Sequence, residues 1–202
     1  FKFTKLTSIF FGGGTPSLME PKMVEKIIEK SLNLFGFSDE IEITLEANPS
    51  NIEFKNISEF KLSGINRLSL GVQGLNNEEL NFLGRLHKIE ETKKIINFAN
   101  KFYDNISVDL IYGLPFQKIK NWEKDLKNFL IEYSVKHISA YQLTYEKGTK
   151  FYHLYKKGEL NKINDKQSLQ FYRSTVEIIE KNNFKQYEVS NFSKTNYKSK
   201  HN

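Results

Sequence analysis

Three polar side chains recur at comparable places in the chain. Glu46 closes the segment IEITLE (41–46), Gln73 closes NRLSLGVQ (66–73), and Asp109 lies in NISVDLIYG (105–113). Each segment alternates with period two, as a strand does. In each, the phase carrying the polar residue also carries small or polar neighbours: Glu42 and Thr44, Ser69 and Gly71, Ser107. The opposite phase is apolar: Ile41, Ile43, Leu45; Leu68, Leu70, Val72; Ile106, Val108, Leu110, Tyr112. Two carboxylates and an amide in register can grip a polar ligand through several hydrogen bonds. Upstream, FFGGGTPSLME (10–20) places Gly12, Gly13, Gly14 and Thr15 after an apolar run. A turn without side chains lets a ligand approach bare N–H and C=O groups. The spacing is neither GxGxxG nor GxxxxGK[ST], which excludes the dinucleotide and P-loop fingerprints.

Arginine is scarce. The chain has 30 basic residues, of which only Arg67, Arg85 and Arg173 are arginines. A guanidinium presents a planar fork to a carboxylate that lysine cannot copy. By itself Arg85 reads as a solvated helix-end arginine. His87, His137 and His153 read as structural or exposed, and Tyr187 and Glu188 as shaping the sheet.

The elements that must carry these groups alternate strand and helix. Strands are expected at 5–11, 41–46, 66–73, 105–113, 136–143 and 187–192. Helices are expected at 21–35, 50–64, about 77–84, 89–102, 120–134 and 165–181. Such alternation argues for a parallel sheet with right-handed crossovers. An open parallel sheet buries both faces, so both should be apolar. Here one face is polar on three successive strands, which predicts a curled sheet. Helices would cover its convex side, and its concave side would hold the ligand near the C-terminal strand ends, as in barrel enzymes. Residues 1–160 are expected to form the barrel core, and 161–202 its last helix and the start of a C-terminal region.

The bulk numbers narrow the classes. The chain has 202 residues, 39% hydrophobic, with a net charge of +6 and no cysteine. Mean hydropathy is −0.53 and no apolar run approaches the ~18 residues of a membrane span. The lysines are spread along the chain without a basic cluster, which argues against a nucleic-acid role. An intracellular, cytoplasmic protein is expected; oligomeric state is not legible. The chain opens on Phe1 and closes on His201-Asn202, so it reads as a segment of a longer protein.

FFGGGTPSLM, EITLEANPSN, GINRLSLGVQGLNNEELNFLGRLH, SVDLIYGLPFQ, HISAYQLTYEKGTKF and YEVSNFSK occur in that order. Together they resemble the oxygen-independent coproporphyrinogen III oxidase-like radical SAM proteins. GRLH and AYQLTYEKGT are similar to the HemW-type heme chaperone branch. The resemblance implies an α/β fold, a partial (β/α)6 TIM-like barrel, with the start of a C-terminal sheet extension. It implies S-adenosylmethionine, a [4Fe–4S] cluster and heme as cofactors, and heme and a heme-acceptor protein as partners. The family's cluster loop, CxxxCxxC, precedes the glycine-rich strand; it and the first barrel strand would lie outside this chain. Gly12, Gly13, Gly14 and Thr15 match the segment on the methionine part of S-adenosylmethionine. Glu46, Gln73 and Asp109 match binding positions for the same molecule, with the division of roles open. Arg85 matches the arginine that pairs with its carboxylate, and Ala140 a position where backbone meets the adenine. His201-Asn202 resembles the start of an HNxxYW motif, which makes His201 a candidate heme ligand. In the family's mechanism a reduced cluster donates an electron to the sulfonium, and homolysis yields a 5′-deoxyadenosyl radical, so the resemblance implies that none of the residues here need act as a general acid or base. Two rival readings are an oxygen-independent coproporphyrinogen III dehydrogenase and a cluster-free (β/α) binding module.

Overall fold

The structure is a computed structural model that describes residues 5–49 and 56–202. Among the described residues seven strands form one sheet in the order β1-β2-β3-β4-β5-β7-β6. They are β1 Leu6–Phe11, β2 Phe37–Ala47, β3 Arg67–Gln73, β4 Asn105–Tyr112, β5 His137–Gln142, β6 Lys185–Gln186 and β7 Asn191–Ser193. The helices are α1 Pro21–Phe35, α2 Ile57–Leu62, α3 Asn77–Phe82, α4 Ile89–Ala99, α5 Ile119–Glu132, α6 Lys150–Lys156 and α7 Asp165–Lys181. The run from β1 to β5 is parallel throughout, and β7 joins β5 antiparallel. The sheet curls into a half-barrel.

The two phases of the strands explain the curl. Ile43, Leu45, Leu68, Leu70, Val72, Ile106, Val108, Leu110 and Ile138 are all buried in one core with Val24, Phe60, Ile96, Trp122, Leu126, Phe171 and Ile179 from the helices. Helices therefore cover the convex side. The other phase turns Glu46, Ser69, Gln73, Asp109 and Ser139 inward around cavities. Local chemistry sets the element ends. Pro21 opens α1 and Gly36, at φ +67°, closes it. Asn164 and Gln167 form a reciprocal cap at the start of α7, with bonds of 3.0 and 2.9 Å.

Three expectations change. The segment 187–192 is not one strand: β6 and β7 form an antiparallel pair around the turn 187–190, where Tyr187 N–H donates to Asn191 O at 3.0 Å. The helix expected over 50–64 is seen as Ile57–Leu62, and residues 50–55 lie outside the described residues. Lys150–Lys156, for which no helix was expected, is a helix capped by Thr149. No helix among the described residues is long and apolar enough to cross a membrane.

Candidate functional site

The turn after β1 is built by glycine. Gly13 and Gly14 sit at φ +79° and +48°, where a side chain would be strained. The turn is held against β2 because the Gly13 N–H donates to Glu46 Oε2 at 3.1 Å. Thr15 and Pro16 then lead into a short 3-10 turn, Pro16–Leu18.

Gln73 ends β3 in an uncommon conformation. Its φ is +68°, and Gly74 N–H donates to Val72 O at 2.9 Å, closing a three-residue turn centred on it. Opposite β4, Leu70 pairs with Val108 but Gln73 with Leu110, so one residue is bulged out of register. Bulge and turn together re-aim the amide into the concave side. A side chain at Gly71 would lie 3.2 Å from Gln73 Nε2 and 3.1 Å from Asn48 Oδ1, so the glycine makes room for both.

Asp109 is flanked by hydroxyls from both neighbouring strands. Ser69 Oγ is 3.4 Å from each carboxylate oxygen, and Ser139 also donates to it. Burial pushes its carboxyl up to about 6; Ser139, the Arg67 guanidinium and Ser69 oppose that rise, and Glu46 adds to it.

Arg85 reaches the same space from the loop after α3. No carboxylate among the described residues pairs with it, and its Nε is buried without a hydrogen-bond partner. Burial alone depresses its guanidinium from the usual value. A half-buried arginine without an anion is an energetic cost unless something supplies one.

Gly14, Thr15, Glu46, Asn48, Ser69, Gly71, Gln73, Arg85 and Asp109 line one cavity of about 300 Å³. A second, of about 240 Å³, shares Glu46, Ser69, Gln73 and Asp109 with it and adds Arg67, His137, Ser139 and Tyr141. The combined space has the size of a small-molecule site. Its wall offers one unpaired cation, two carboxylates, an amide and exposed backbone. That set suits a polar ligand bearing a carboxylate together with amine or hydroxyl groups.

The structure thus brings Glu46, Gln73, Asp109, Arg85 and the Gly14–Thr15 turn together. Gly12 backs the turn: a side chain there would lie 2.7 Å from the Phe10 ring. Ala140 is buried, and its N–H is taken by Ser190 O at 2.8 Å; its neighbours Ser139 and Tyr141 face the second cavity. His201 is exposed, its ring stacked on Phe10 at 4.3 Å. His87 and His137 are buried, and only His153 of the other three histidines fits an exposed reading. Asn48, Ser139 and Tyr141 escaped notice in the sequence. Asn48 follows Glu46 by two residues, past the end of the recognised alternation. Ser139 and Tyr141 continue the concave phase onto β5, which the same period-two test applied to HISAYQ would have revealed.

Comparison with known proteins agrees with this architecture. The model of the radical SAM superfamily matches residues 1–129. The zebrafish (Danio rerio) protein "Radical S-adenosyl methionine domain-containing protein 1, mitochondrial" is 38% identical over 200 residues, covering 98% of this chain and 45% of that protein. Its Dictyostelium discoideum namesake is 41% identical over 209 residues, with 98% and 47% covered. The heme chaperone HemW of Buchnera aphidicola (subsp. Schizaphis graminum) is 36% identical over 204 residues, with 100% and 52% covered. The chain therefore spans about half the length of these relatives. Among solved structures, coproporphyrinogen III oxidase (HemN) from Escherichia coli superposes with a TM-score of 0.79 at 22% identity, over 94% of this chain and 44% of that one. Archaeal Elp3 from Methanocaldococcus infernus gives 0.68 at 21%, over 84% of this chain and 44% of that one. The identities of these two structures bear on the fold alone. Sequence match, sheet order and curl agree: the chain belongs to the radical SAM superfamily, as a HemN/HemW-like member.

Proposed function

We propose that the cavity between the glycine turn and the ends of β2, β3 and β4 binds S-adenosylmethionine, in a protein acting as a HemW-type heme chaperone. The observation that carries the reading is Arg85: a guanidinium without an anion, facing a cavity whose other walls hold Glu46 and Asp109. An α-amino acid joined to a nucleoside complements that wall. Arg85 would take the carboxylate. The Gly12–Thr15 turn and Glu46 would take the ammonium. Gln73 and Asp109 would hold the ribose hydroxyls, and the backbone about Ala140 would meet the base. When bound, S-adenosylmethionine supplies the sulfonium carbon–sulfur bond that radical SAM chemistry breaks. The protein's own groups orient the ligand and exclude water from it.

The [4Fe–4S] cluster is different. The chain has no cysteine, and the described residues contain no group of His, Asp or Glu fit for a metal ion. These residues do not fit a cluster, and no step through one is assigned to them. Heme and transfer to an acceptor protein are proposed on the resemblance to HemW, with His201 as the candidate iron ligand, and a cytoplasmic location goes with that reading.

The test uses the full-length protein. Arg85→Ala should weaken S-adenosylmethionine binding by about 1–3 kcal/mol, the scale of a lost charged hydrogen bond, measured by calorimetry. Unchanged affinity in a folded variant rejects the assignment. Stoichiometric heme binding without conversion of coproporphyrinogen III supports the chaperone. Anaerobic conversion of that substrate would instead make the protein a coproporphyrinogen III dehydrogenase.

A further inference from the structure

Glu79 is an acid that ligand binding does not use directly, yet it is 3% exposed in α3. Its Oε2 accepts from the Leu75 N–H at 2.8 Å, and its Oε1 from Gln117 Nε2 at 2.6 Å. Gln117 in turn accepts, through Oε1, from the Gly113 N–H at 2.7 Å and the Leu114 N–H at 3.3 Å. One partly buried chain of hydrogen bonds therefore ties the turn after β3 to the turn after β4. The Asn76 cap fixes its base, since Asn76 Oδ1 accepts from the Glu79 N–H at 3.0 Å and Asn76 Nδ2 donates to Asp125 at 3.2 Å. Gly74 is pressed against it: a side chain there would come within 2.9 Å of Glu79 Cβ. Between this anchor and the strand sits Gln73, at φ +68°. A non-glycine residue in a three-residue turn of this hand is strained and persists only where the surroundings over-determine it.

We infer that Glu79 is a positioning residue of the site: with Gln117 it locks the turns after β3 and β4 and so holds the Gln73 amide aimed into the cavity. The carboxylate is suited to the task because it is acceptor-only. It faces two donors, Leu75 N–H and the Gln117 amide. A glutamine at 79 has one acceptor and must turn its own NH₂ toward one of them. Flipping Gln117 does not help, since its NH₂ would then face the Gly113 N–H. The reciprocal exchange does help. With Glu79→Gln and Gln117→Glu together, position 79 accepts from Leu75 and donates to position 117, whose free oxygen still accepts from Gly113. All of the bonds survive with the middle one reversed.

The test compares full-length wild type, Glu79→Gln, Gln117→Glu, the double exchange, and each of the first two in a Gln73→Ala background. Glu79→Gln should weaken S-adenosylmethionine binding about tenfold, on the scale of one buried hydrogen bond lost to a donor clash. The double exchange should recover most of it. In the Gln73→Ala background Glu79→Gln should lower urea stability as before but have no further effect on affinity. A full additional loss of affinity there, or unchanged affinity in a less stable Glu79→Gln, reduces Glu79 to a structural acid and overturns the inference. This arm rests on the proposed ligand, so a second readout does not. Amide hydrogen exchange at Gly74, Leu75 and Gly113 should quicken in Glu79→Gln and slow again in the double exchange. If wild type fails to bind S-adenosylmethionine, the proposed ligand falls, while exchange at these amides still decides whether Glu79 locks the two turns.

Discussion

Asp109 shows how one residue couples the site to pH. Its folded carboxyl keeps a proton up to about pH 6, because burial outweighs the two serines and Arg67. In an unfolded chain an aspartate gives up its proton near pH 4. The acid form is thus favoured by the fold. Stability contributed at low pH is lost as pH rises from about 4 to about 6, and the cost is complete above that window. The gap between about 4 and about 6 caps the cost at about 3 kcal/mol. Asp109→Asn should therefore raise Tm relative to wild type at pH 7.5, by an amount that shrinks at pH 4.5. A gain independent of pH would show that the carboxyl is not held protonated. The same variant should bind the proposed ligand less tightly at pH 7.5, since an ionised carboxylate accepts two hydroxyl bonds and the amide oxygen is weaker. Asp109 was legible in the sequence because strand phase alone aligns it with Glu46 and Gln73. Its flanking hydroxyls were not, because Ser69 and Ser139 are ordinary strand residues until the pairing of β3, β4 and β5 puts them on either side. Glu79 was hidden for a similar reason. In NNEEL it looks like a solvated acid in the first turn of a helix, and only the 38-residue separation from Gln117 closes over it.

At the scale of elements, the strands could be read from alternation and the long helices from apolar spacing, because those patterns record which face is buried. Helix α7 was expected at about 165–181 from the spacing of Leu169, Tyr172, Val176 and Ile179, and spans Asp165–Lys181 with Asn164 as its cap. The turn at Gln73 was illegible. Nothing in GVQGL signals a left-handed glutamine, and propensity favours the neighbouring glycine for that role. The β6–β7 pair was misread because YEVSNF has strand-like residues throughout, while the backbone reverses within it. Helix packing outside the barrel offers a check separate from the ligand site. Trp122, fully buried in α5, donates its indole N–H to Thr175 Oγ1 of α7 at 2.9 Å, and Thr175 donates onward to Phe171 O at 2.7 Å. Thr175→Val keeps the shape and removes the acceptor, leaving a buried indole N–H unpaired. The expected cost is about 1–3 kcal/mol in urea denaturation, with ligand affinity unchanged. A stability loss well below this range would mean that the contact is replaceable by water or by repacking.

The whole molecule is drawn together across the lumen by its last described residues. Glu42 on β2 is 6% exposed and accepts, through one oxygen, from the Lys200 N–H at 3.0 Å and Ser199 Oγ at 3.4 Å. Its other oxygen lies 3.9 Å from Nε of Arg67, which is 2% exposed on β3. From the far side, the Tyr187 hydroxyl accepts from Ser199 N–H and Asn202 Nδ2, each at 3.3 Å, and shares a 2.7 Å bond with His137 Nε2. His137 also bonds Ser107 through Nδ1 at 2.8 Å. Burial and the nearby Arg67 depress this imidazole to about 3, so it is neutral at pH 7. Segment 199–202 therefore bridges β2 to the β5 side, with Asn202 lining the second cavity, and His201 lies on Phe10 of β1. This clasp explains why Arg67 and His137, which look surface-compatible in sequence, are buried. It also makes Glu42 serve both Arg67 on β3 and the segment 199–200 at once. Glu42→Gln keeps the shape but strands a buried guanidinium without its counter-charge, an arrangement that typically costs about 3–5 kcal/mol. Weakening of the Lys200 contact adds to it. The variant should unfold at markedly lower urea, and limited proteolysis should cut first near residues 194–200. Arg67→Met combined with Glu42→Leu removes both charges, so it should regain most of the urea stability and yet leave the tail cleavable, because leucine offers no acceptor to the Lys200 N–H. If the double variant is no more stable than Glu42→Gln, the pair is not what holds the floor of the barrel, and the hydroxyl chain through Tyr187 must carry that load instead.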